Sequence, residues 1–95
     1  EVEHVLCSHP QVRNCAIIAI PDRKRGERLI ALIDPKDGCS VSASELMRYA
    51  RLELPLPFVP RIYAKPNIWR WTASGKTDFT ALKTDWLSGA CELMK

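Results

Sequence analysis

The amino-acid sequence predicts a small single domain of the α+β class, with a short central β-sheet of about three strands or more and about three helices around it. Two runs rich in β-branched residues predict neighbouring strands, and three stretches with apolar residues three or four positions apart predict helices. With 95 residues, 46% of them hydrophobic, the chain can bury one core and is too short for two.

The first third of the chain predicts a helix followed by two strands. Apolar residues over 1–9 recur at helical spacing, and Pro10 ends that helix. The β-branched runs over 12–20 and 27–33 predict the two strands. Between them lies a turn in which Gly26 is free to adopt a positive φ angle.

The middle third predicts a capped helix, an extended connector and a third strand. Ser42, with Glu45 three residues later, is a capping box, and the apolar spacing that follows predicts a helix over 43–53. The three prolines within 55–60 forbid regular structure, so we expect an extended connector whose apolar residues pack on the core. The segment 61–65 is the candidate for the third strand.

The last third predicts a loop and then a helix. Residues 67–76 include two tryptophans, show no clear period and have a glycine near their end, which is typical of a loop. From Asp78, placed to cap the first turn, apolar residues return to helical spacing as far as Leu93. We expect this helix to fray after Gly89.

The charge distribution predicts a soluble protein without a nucleic-acid or membrane role. The formal net charge is +3, and a basic cluster lies in a turn together with acidic residues, as solvated charge usually does. No apolar run approaches the length of a membrane span. We therefore expect a water-soluble, cytoplasmic protein that binds no nucleic acid. The basic cluster comprises Arg23, Lys24, Arg25 and Arg28.

The cysteine pattern argues against a metal site. Four cysteines are scattered without a C-x-x-C pair, and neither they nor His4 and His9 match the spacing of a closed zinc site. An even number of cysteines does not by itself establish disulfides, and we expect reduced, partly buried thiols. The two histidines are expected at the surface or at a helix end, because no nucleophile arrangement calls for them. The cysteines are Cys7, Cys15, Cys39 and Cys91.

The segment TASGKTDF, residues 72–79, contains the strongest candidate for a functional residue. Its glycine, lysine and threonine match the end of a nucleotide-binding P-loop, G-x-x-x-x-G-K-[ST]. The first glycine of that motif would fall at position 70, which is Arg70, so the backbone cannot wrap a phosphate there. The P-loop interpretation therefore fails, and Lys76 needs another explanation.

Several segments, in order along the chain, resemble the small C-terminal domain of adenylate-forming enzymes. This superfamily contains acyl- and aryl-CoA synthetases, peptide-synthetase adenylation domains and firefly-type luciferases. The resemblance covers nearly the whole chain. The similar positions are Glu1-Val2-Glu3, His9-Pro10 with Val12, Pro21-Asp22 followed by Gly26-Glu27, the helix and proline-marked connector ending at Pro60-Arg61, and the closing TASGKTD.

The chain departs from the family pattern around this closing motif. The family usually has a leucine-proline pair shortly before it, where this chain has Trp69-Arg70-Trp71. After the Gly-Lys pair the family commonly continues with an aliphatic residue, Asp and Arg, where this chain reads T-D-F. Gly75 and Lys76 themselves are retained.

The resemblance implies an AMP-forming acid–thiol ligase that works in two steps. A carboxylate attacks the α-phosphate of ATP to give an acyl-adenylate, and the thiol of coenzyme A or of carrier-bound pantetheine then displaces AMP. The implied cofactors and partners are ATP, Mg²⁺, a carboxylic acid, and coenzyme A or a carrier protein. Residues 1–95 would be the mobile C-terminal domain, without its larger N-terminal adenylation domain. We therefore expect the chain alone to bind none of these ligands and to be inactive.

The resemblance also implies that Lys76 is the adenylation lysine. Two anions approach each other in that step, so a positioned ammonium stabilises the negative charge that develops around phosphorus. Gly75 allows the bend that projects the lysine, and Ser74 and Thr72 offer hydroxyls to hold the loop. The domain of this family swings between the two steps, presenting the lysine face for the first and another face for the second.

The alternative is a non-catalytic, free-standing interaction module of the same fold. Its support is the altered segment Trp69-Arg70-Trp71, because hydrophobic and cationic side chains suit protein interfaces. Tryptophans beside a core are more often packing residues. The retained Gly75-Lys76 pair argues against the module and for the ligase.

Overall fold

The computed structural model describes residues 2–24 and 26–94. Two expectations fall partly outside these ranges: the start of the first helix at Glu1 and the place of Arg25 in the basic cluster. The elements in chain order are α1 (Val2–Cys7), β1 (Val12–Asp22), β2 (Gly26–Pro35), α2 (Ala43–Glu53), a 3₁₀ turn (Leu56–Phe58), β3 (Ile62–Pro66), α3 (Phe79–Leu87) and β4 (Cys91–Leu93).

The strands form one mixed sheet in the order β1-β2-β3-β4. β1 and β2 are an antiparallel hairpin, β3 runs parallel to β2 with Ile30 opposite Ile62, and β4 runs antiparallel to β3 with Ala64 opposite Leu93. The parallel step from β2 to β3 is made through α2, as a crossover between parallel strands requires. This sheet of four strands with three α-helices confirms the predicted α+β class.

The sheet is covered on both faces, because alternate strand residues point to opposite sides. On one face α1 and α2 pack over Cys15, Ile33 and Tyr63. On the other face α3 packs through Leu82 over Ile18 and Ile30. The hydrophobic core is therefore two layers, and the α3 layer is the one that carries the 67–78 segment.

The residues after Gly89 form a strand: the helix ends just before the point where it was expected to fray, and the helical spacing as far as Leu93 does not continue it. Gly89 has a φ of +83°, which ends the helical path, and the Ala90 N–H donates back to the Asp85 carbonyl at 2.8 Å. Cys91–Leu93 then pairs with β3 as β4. The apolar spacing is the same as in a helix, but β3 has an edge whose backbone groups need partners.

The proline-rich connector differs in part from the prediction. Pro55 starts a 3₁₀ turn, which leaves Leu56 63% and Phe58 55% exposed, so these two side chains do not pack on the core. Val59 and Pro60, which follow the turn, are buried as expected.

His9 is buried just after α1, so of the two places expected for the histidines, the surface or a helix end, it takes the helix end. Its Nε2 lies 2.9 Å from Glu45 Oε2, and the Gln11 N–H donates to its Nδ1 at 3.1 Å. Tyr49 meets the ring edge-on, with ring centroids 4.9 Å apart. Ser42 caps α2 by accepting from the Glu45 N–H, as predicted, while the Glu45 carboxylate contacts His9. His4 on α1 is exposed, in agreement with the prediction.

Candidate functional site

The segment from Arg70 to Asp78 folds into a small β-hairpin, which we call the lysine hairpin. Trp71 and Thr77 form an isolated antiparallel bridge, and the Thr72 N–H donates to the Lys76 carbonyl at 2.7 Å. At the open end, the Asp78 N–H donates to the Arg70 carbonyl at 3.0 Å. Residues 67–76, expected to form a loop, thus include most of a hydrogen-bonded hairpin whose tip bears Lys76.

The tip brings together the four residues predicted from the sequence. Gly75 has a φ of +86°, and its N–H donates to the Thr72 carbonyl at 2.9 Å. Thr72 Oγ1 accepts from the Lys76 N–H at 3.1 Å and lies 3.0 Å from Ser74 Oγ. Because Thr72 bonds to the backbone of both Gly75 and Lys76, the Cα of Lys76 has a defined position.

The lysine hairpin is attached to the rest of the domain by three side chains. Trp69 packs partly buried against the α3 layer and donates its Nε1–H to Thr77 Oγ1 at 3.3 Å. Arg70 donates to Asp85 on α3 through Nε at 2.7 Å and Nη2 at 3.2 Å. Asp78 caps α3 by accepting from the Ala81 N–H at 3.1 Å, as predicted. The hydrogen bond to Asp85 raises the pKa of Arg70 further above its ordinary value.

Asp85 is a residue that sequence reasoning missed. It lies near the end of α3, seven positions after its N-cap, and its side chain is 14% exposed. No local pattern distinguishes it from a solvated helix residue, because its partner is fifteen positions away. The available signal was the departure from the family pattern over Trp69-Arg70-Trp71, which places a charged residue between two tryptophans.

Lys76 is exposed and forms no salt bridge with residues in 2–24 or 26–94. Exposed apolar side chains flank it in the chain: Ile68 is 62%, Trp71 53% and Phe79 43% exposed. An unpaired ammonium on a fixed backbone, bordered by apolar surface, suits contact with an anionic group held by a partner surface.

The basic turn between β1 and β2 lies apart from the lysine hairpin. Lys24 and Arg28 line a cavity of about 530 Å³ with Asp22, Glu27 and Arg61. Arg28 Nη2 is 3.8 Å from Asp22 Oδ2. The acidic side chains among these cations are the ones that favoured the solvated-charge interpretation.

All four cysteines are free thiols, and Cys7 and Cys15 lie next to each other. A hydrogen bond from Cys15 lowers the pKa of the exposed Cys7 to about 7, while that bond and burial raise the pKa of Cys15. In residues 2–24 and 26–94, no three His, Cys, Asp or Glu side chains converge as metal ligands would. Within the same ranges, no helix is both long and apolar enough to cross a bilayer.

The fold and the hairpin together define a small α+β domain that presents one lysine on a braced turn. A family model described as the AMP-binding enzyme C-terminal domain matches residues 1–76, a range that ends on that lysine. The chain therefore belongs to the AMP-binding enzyme C-terminal domain family, as the sequence resemblance indicated.

Relatives of known name agree with this family. YngI of Bacillus subtilis, which carries a provisional acyl-CoA synthetase name, is 38% identical over 76 residues, covering 80% of this chain and 14% of that protein. The o-succinylbenzoate CoA synthetase of the same organism superposes with a TM-score of 0.86 at 27% identity, covering 100% of this chain and 18% of that one.

One relative of known structure is named for the formation of an amide bond. The amide bond synthetase McbA of Marinactinospora thermotolerans superposes with a TM-score of 0.81 at 34% identity, covering 87% of this chain and 17% of that one. The chain thus spans less than a fifth of each of these three relatives.

Proposed function

We propose that this chain is the lid domain of an AMP-forming carboxylate ligase and that Lys76 supplies the cation for acyl-adenylate formation. The observation that carries the proposal is the geometry of the hairpin tip. Gly75 at positive φ and the paired bonds of Thr72 fix the backbone of Lys76, and its side chain remains exposed. A surface lysine without a role would not need this support.

The chemistry of adenylation explains why a lysine is needed at this place. When a carboxylate attacks the α-phosphate of ATP, negative charge develops on the oxygens around phosphorus. An ammonium fixed in advance stabilises that charge more than it stabilises the separated reactants, so it lowers the barrier. Lysine suits this task because it is a compact charge on a long stem that reaches a substrate bound elsewhere.

The residues of this chain fit an anionic nucleotide at one point and do not fit a metal ion. Lys76 offers an exposed cation to phosphate oxygens, whereas in the described part of the chain no three carboxylate, imidazole or thiolate groups converge. Mg²⁺ would neutralise phosphate charge when bound, and residues of the proposed adenylation domain would hold it. That domain would also bind the carboxylic acid.

Exposed apolar groups beside the hairpin support docking on such a domain. Trp71, which forms the bridge with Thr77, and Phe79, two residues after Thr77, are about half exposed. Side chains of this kind are enriched in the buried centres of interfaces. Swinging the domain between the two steps would bring this face to the active site for adenylation and remove it afterwards.

We favour a thiol as the acceptor in the second step. Two of the relatives are named as CoA synthetases, and one is an amide bond synthetase, so an amine is the alternative acceptor. Coenzyme A and carrier-bound pantetheine present the same thiol chemistry. Measuring AMP release from the acyl-adenylate with each acceptor distinguishes them.

A second candidate function is a non-catalytic interaction module. It is favoured by the exposure of Trp71 beside Arg70, which matches the composition of interface centres. It does not account for the bonds that brace Lys76, because a binding surface does not depend on one oriented ammonium. The ligase is therefore the function that the geometry supports better.

The test is carboxylate-dependent ATP–pyrophosphate exchange by the full-length protein that contains this chain. We expect Lys76→Ala to lower the exchange rate by a factor on the order of a hundred or more. Lys83→Ala is the matched control, since Lys83 is an exposed lysine on α3 outside the hairpin, and it should leave exchange unchanged. Equal rates for wild type and Lys76→Ala would contradict the assignment. Absence of exchange in wild type with every carboxylate tried would favour the interaction module.

A further inference from the structure

We propose that Arg70 and Asp85 are positioning residues that orient the lysine hairpin for adenylation. The proposal rests on the proposed function of Lys76. The family resemblance does not supply it, because the chain departs from the family pattern over the segment Trp69-Arg70-Trp71. It follows from the contacts between the hairpin and α3.

The Arg70–Asp85 pair has the geometry of a specific clamp. Nε and Nη2 donate to the two carboxylate oxygens at 2.7 and 3.2 Å, which is the two-pronged arrangement that fixes both distance and angle. The Asp85 side chain is 14% exposed, so water competes little for it. The Asp85 carbonyl also accepts from the Ala90 N–H and from Ser88 Oγ, which holds this end of α3 in place.

The clamp is attached at the base of the lysine hairpin. The Arg70 carbonyl accepts from the Asp78 N–H, so the residue that reaches α3 with its side chain also closes the open end of the hairpin with its backbone. On the neighbouring position, Trp69 anchors the hairpin in the α3 layer. Trp69 and the Asp78 cap of α3 are two attachments, and Arg70 provides the third, which reaches the other end of α3.

Arg70 is a positioning residue and not itself a source of catalytic charge. Two of its donors are directed at Asp85 instead of at open solvent, and that carboxylate neutralises its charge. Lys76, by contrast, has no such partner among residues 2–24 and 26–94. Removing the clamp would leave the ammonium present but less often in the productive place.

The experiment measures both half-reactions of the full-length protein for Arg70→Ala, Asp85→Asn and the double variant. We expect each single variant to slow ATP–pyrophosphate exchange by about tenfold to a hundredfold, as small misplacements of a catalytic group do. Thioester formation from a supplied acyl-adenylate should stay at the wild-type rate. The double variant should be no slower than the worse single variant, because both break the same clamp.

Arg13→Ala is the matched control. Arg13 donates to both oxygens of Asp34 at 3.1 and 3.2 Å. The control variant therefore loses an equivalent pair of hydrogen bonds on the β1–β2 hairpin and leaves the lysine hairpin unchanged. It should leave exchange unchanged. Arg70→Lys, which keeps the charge but not the fork, should fall between wild type and Arg70→Ala.

Lys76→Ala, measured in parallel, separates this proposal from the proposed function. Collapse of exchange in Lys76→Ala with wild-type exchange in Arg70→Ala would overturn the positioning role alone. Unchanged exchange in Lys76→Ala would overturn the function on which it rests. An equal loss of both half-reactions in Arg70→Ala would show a general structural role and would also overturn the proposal.

Discussion

At the scale of single residues, a substitution at Gly75 changes the backbone of the lysine hairpin and keeps the Lys76 ammonium. The Gly75 φ of +86° is unfavourable for a side chain, although a Cβ there would meet no atom within 4 Å. The cost of Gly75→Ala is therefore backbone strain, about 1–2 kcal/mol in the free energy of unfolding. We expect denaturant unfolding of the chain to show this loss, and exchange by the full-length protein to fall as well.

Gly38 provides the control for that substitution. It also has a positive φ, +77°, with open space around its Cβ position, but it lies in the turn after β2. Gly38→Ala should cost a similar free energy of unfolding and leave exchange intact. If both variants lost exchange equally, the effect of Gly75→Ala would be one of stability and the hairpin would have no special role.

Tyr63 is the residue whose polar group is least well accommodated. Of the buried side-chain oxygen and nitrogen atoms in residues 2–24 and 26–94, only its hydroxyl lacks a hydrogen-bond partner. Tyr63→Phe should therefore raise the free energy of unfolding by about 1 kcal/mol. Tyr49→Phe should lower it instead, because the Tyr49 hydroxyl lies 2.7 Å from Ser8 Oγ. Equal signs for the two variants in urea unfolding would contradict this account.

The Tyr63 hydroxyl also makes the free energy of unfolding depend on pH. Burial raises the pKa of its hydroxyl above the ordinary value, so the folded state keeps the neutral form where the unfolded state ionises. The stability from this group is fully present below about pH 10 and is lost as the pH rises further. Wild type should thus lose stability above that pH more steeply than Tyr63→Phe.

At the scale of elements, His9 joins the end of α1 to the start of α2. Because the Gln11 N–H donates to Nδ1, the ring carries its proton on Nε2 and donates it to Glu45. We expect His9→Ala to lower the free energy of unfolding by about 2 kcal/mol, through the lost bonds and packing. His4→Ala, on the exposed side of α1, should change it by less than about 0.5 kcal/mol. Thermal unfolding of both variants checks the difference.

Elements with local signals were predicted well, and those that depend on distant partners were not. The helix over 43–53 has the predicted bounds because Ser42 caps it, and α3 begins after Asp78 for the same reason. β4 was missed because its strand character comes from the free edge of β3 and from Gly89, while its own apolar spacing resembles a helix. The burial of His9 likewise depends on α2, which is distant in sequence.

At the scale of the whole molecule, the domain has both faces of its sheet covered. Among the described residues no three potential metal ligands converge, and under our proposal Lys76 is the one group of this chain that takes part in adenylation. We predict that the 95-residue chain unfolds cooperatively and catalyses no ATP–pyrophosphate exchange. Calorimetry and an exchange assay on the same sample check this. ATP–pyrophosphate exchange by this chain alone would contradict the proposal that adenylation needs a second domain.

The tip of the lysine hairpin was predictable from the sequence, and its attachment through Arg70 to α3 was not. Thr72, Ser74, Gly75 and Lys76 are contiguous, so a motif places them together, and the hairpin geometry brings their polar groups into contact. The attachment to α3 through Asp85 is a tertiary contact that no motif contains.

The central claim is that Lys76 serves one half-reaction and not the other. The most direct measurement is the ratio of two rates in Lys76→Ala relative to wild type: acyl-adenylate formation, and thioester formation from supplied acyl-adenylate. If Lys76 serves adenylation alone, the rate of acyl-adenylate formation falls by a factor on the order of a hundred or more, while the rate of thioester formation stays within a few-fold of wild type. A parallel fall in both rates, or no fall in the first, would contradict it.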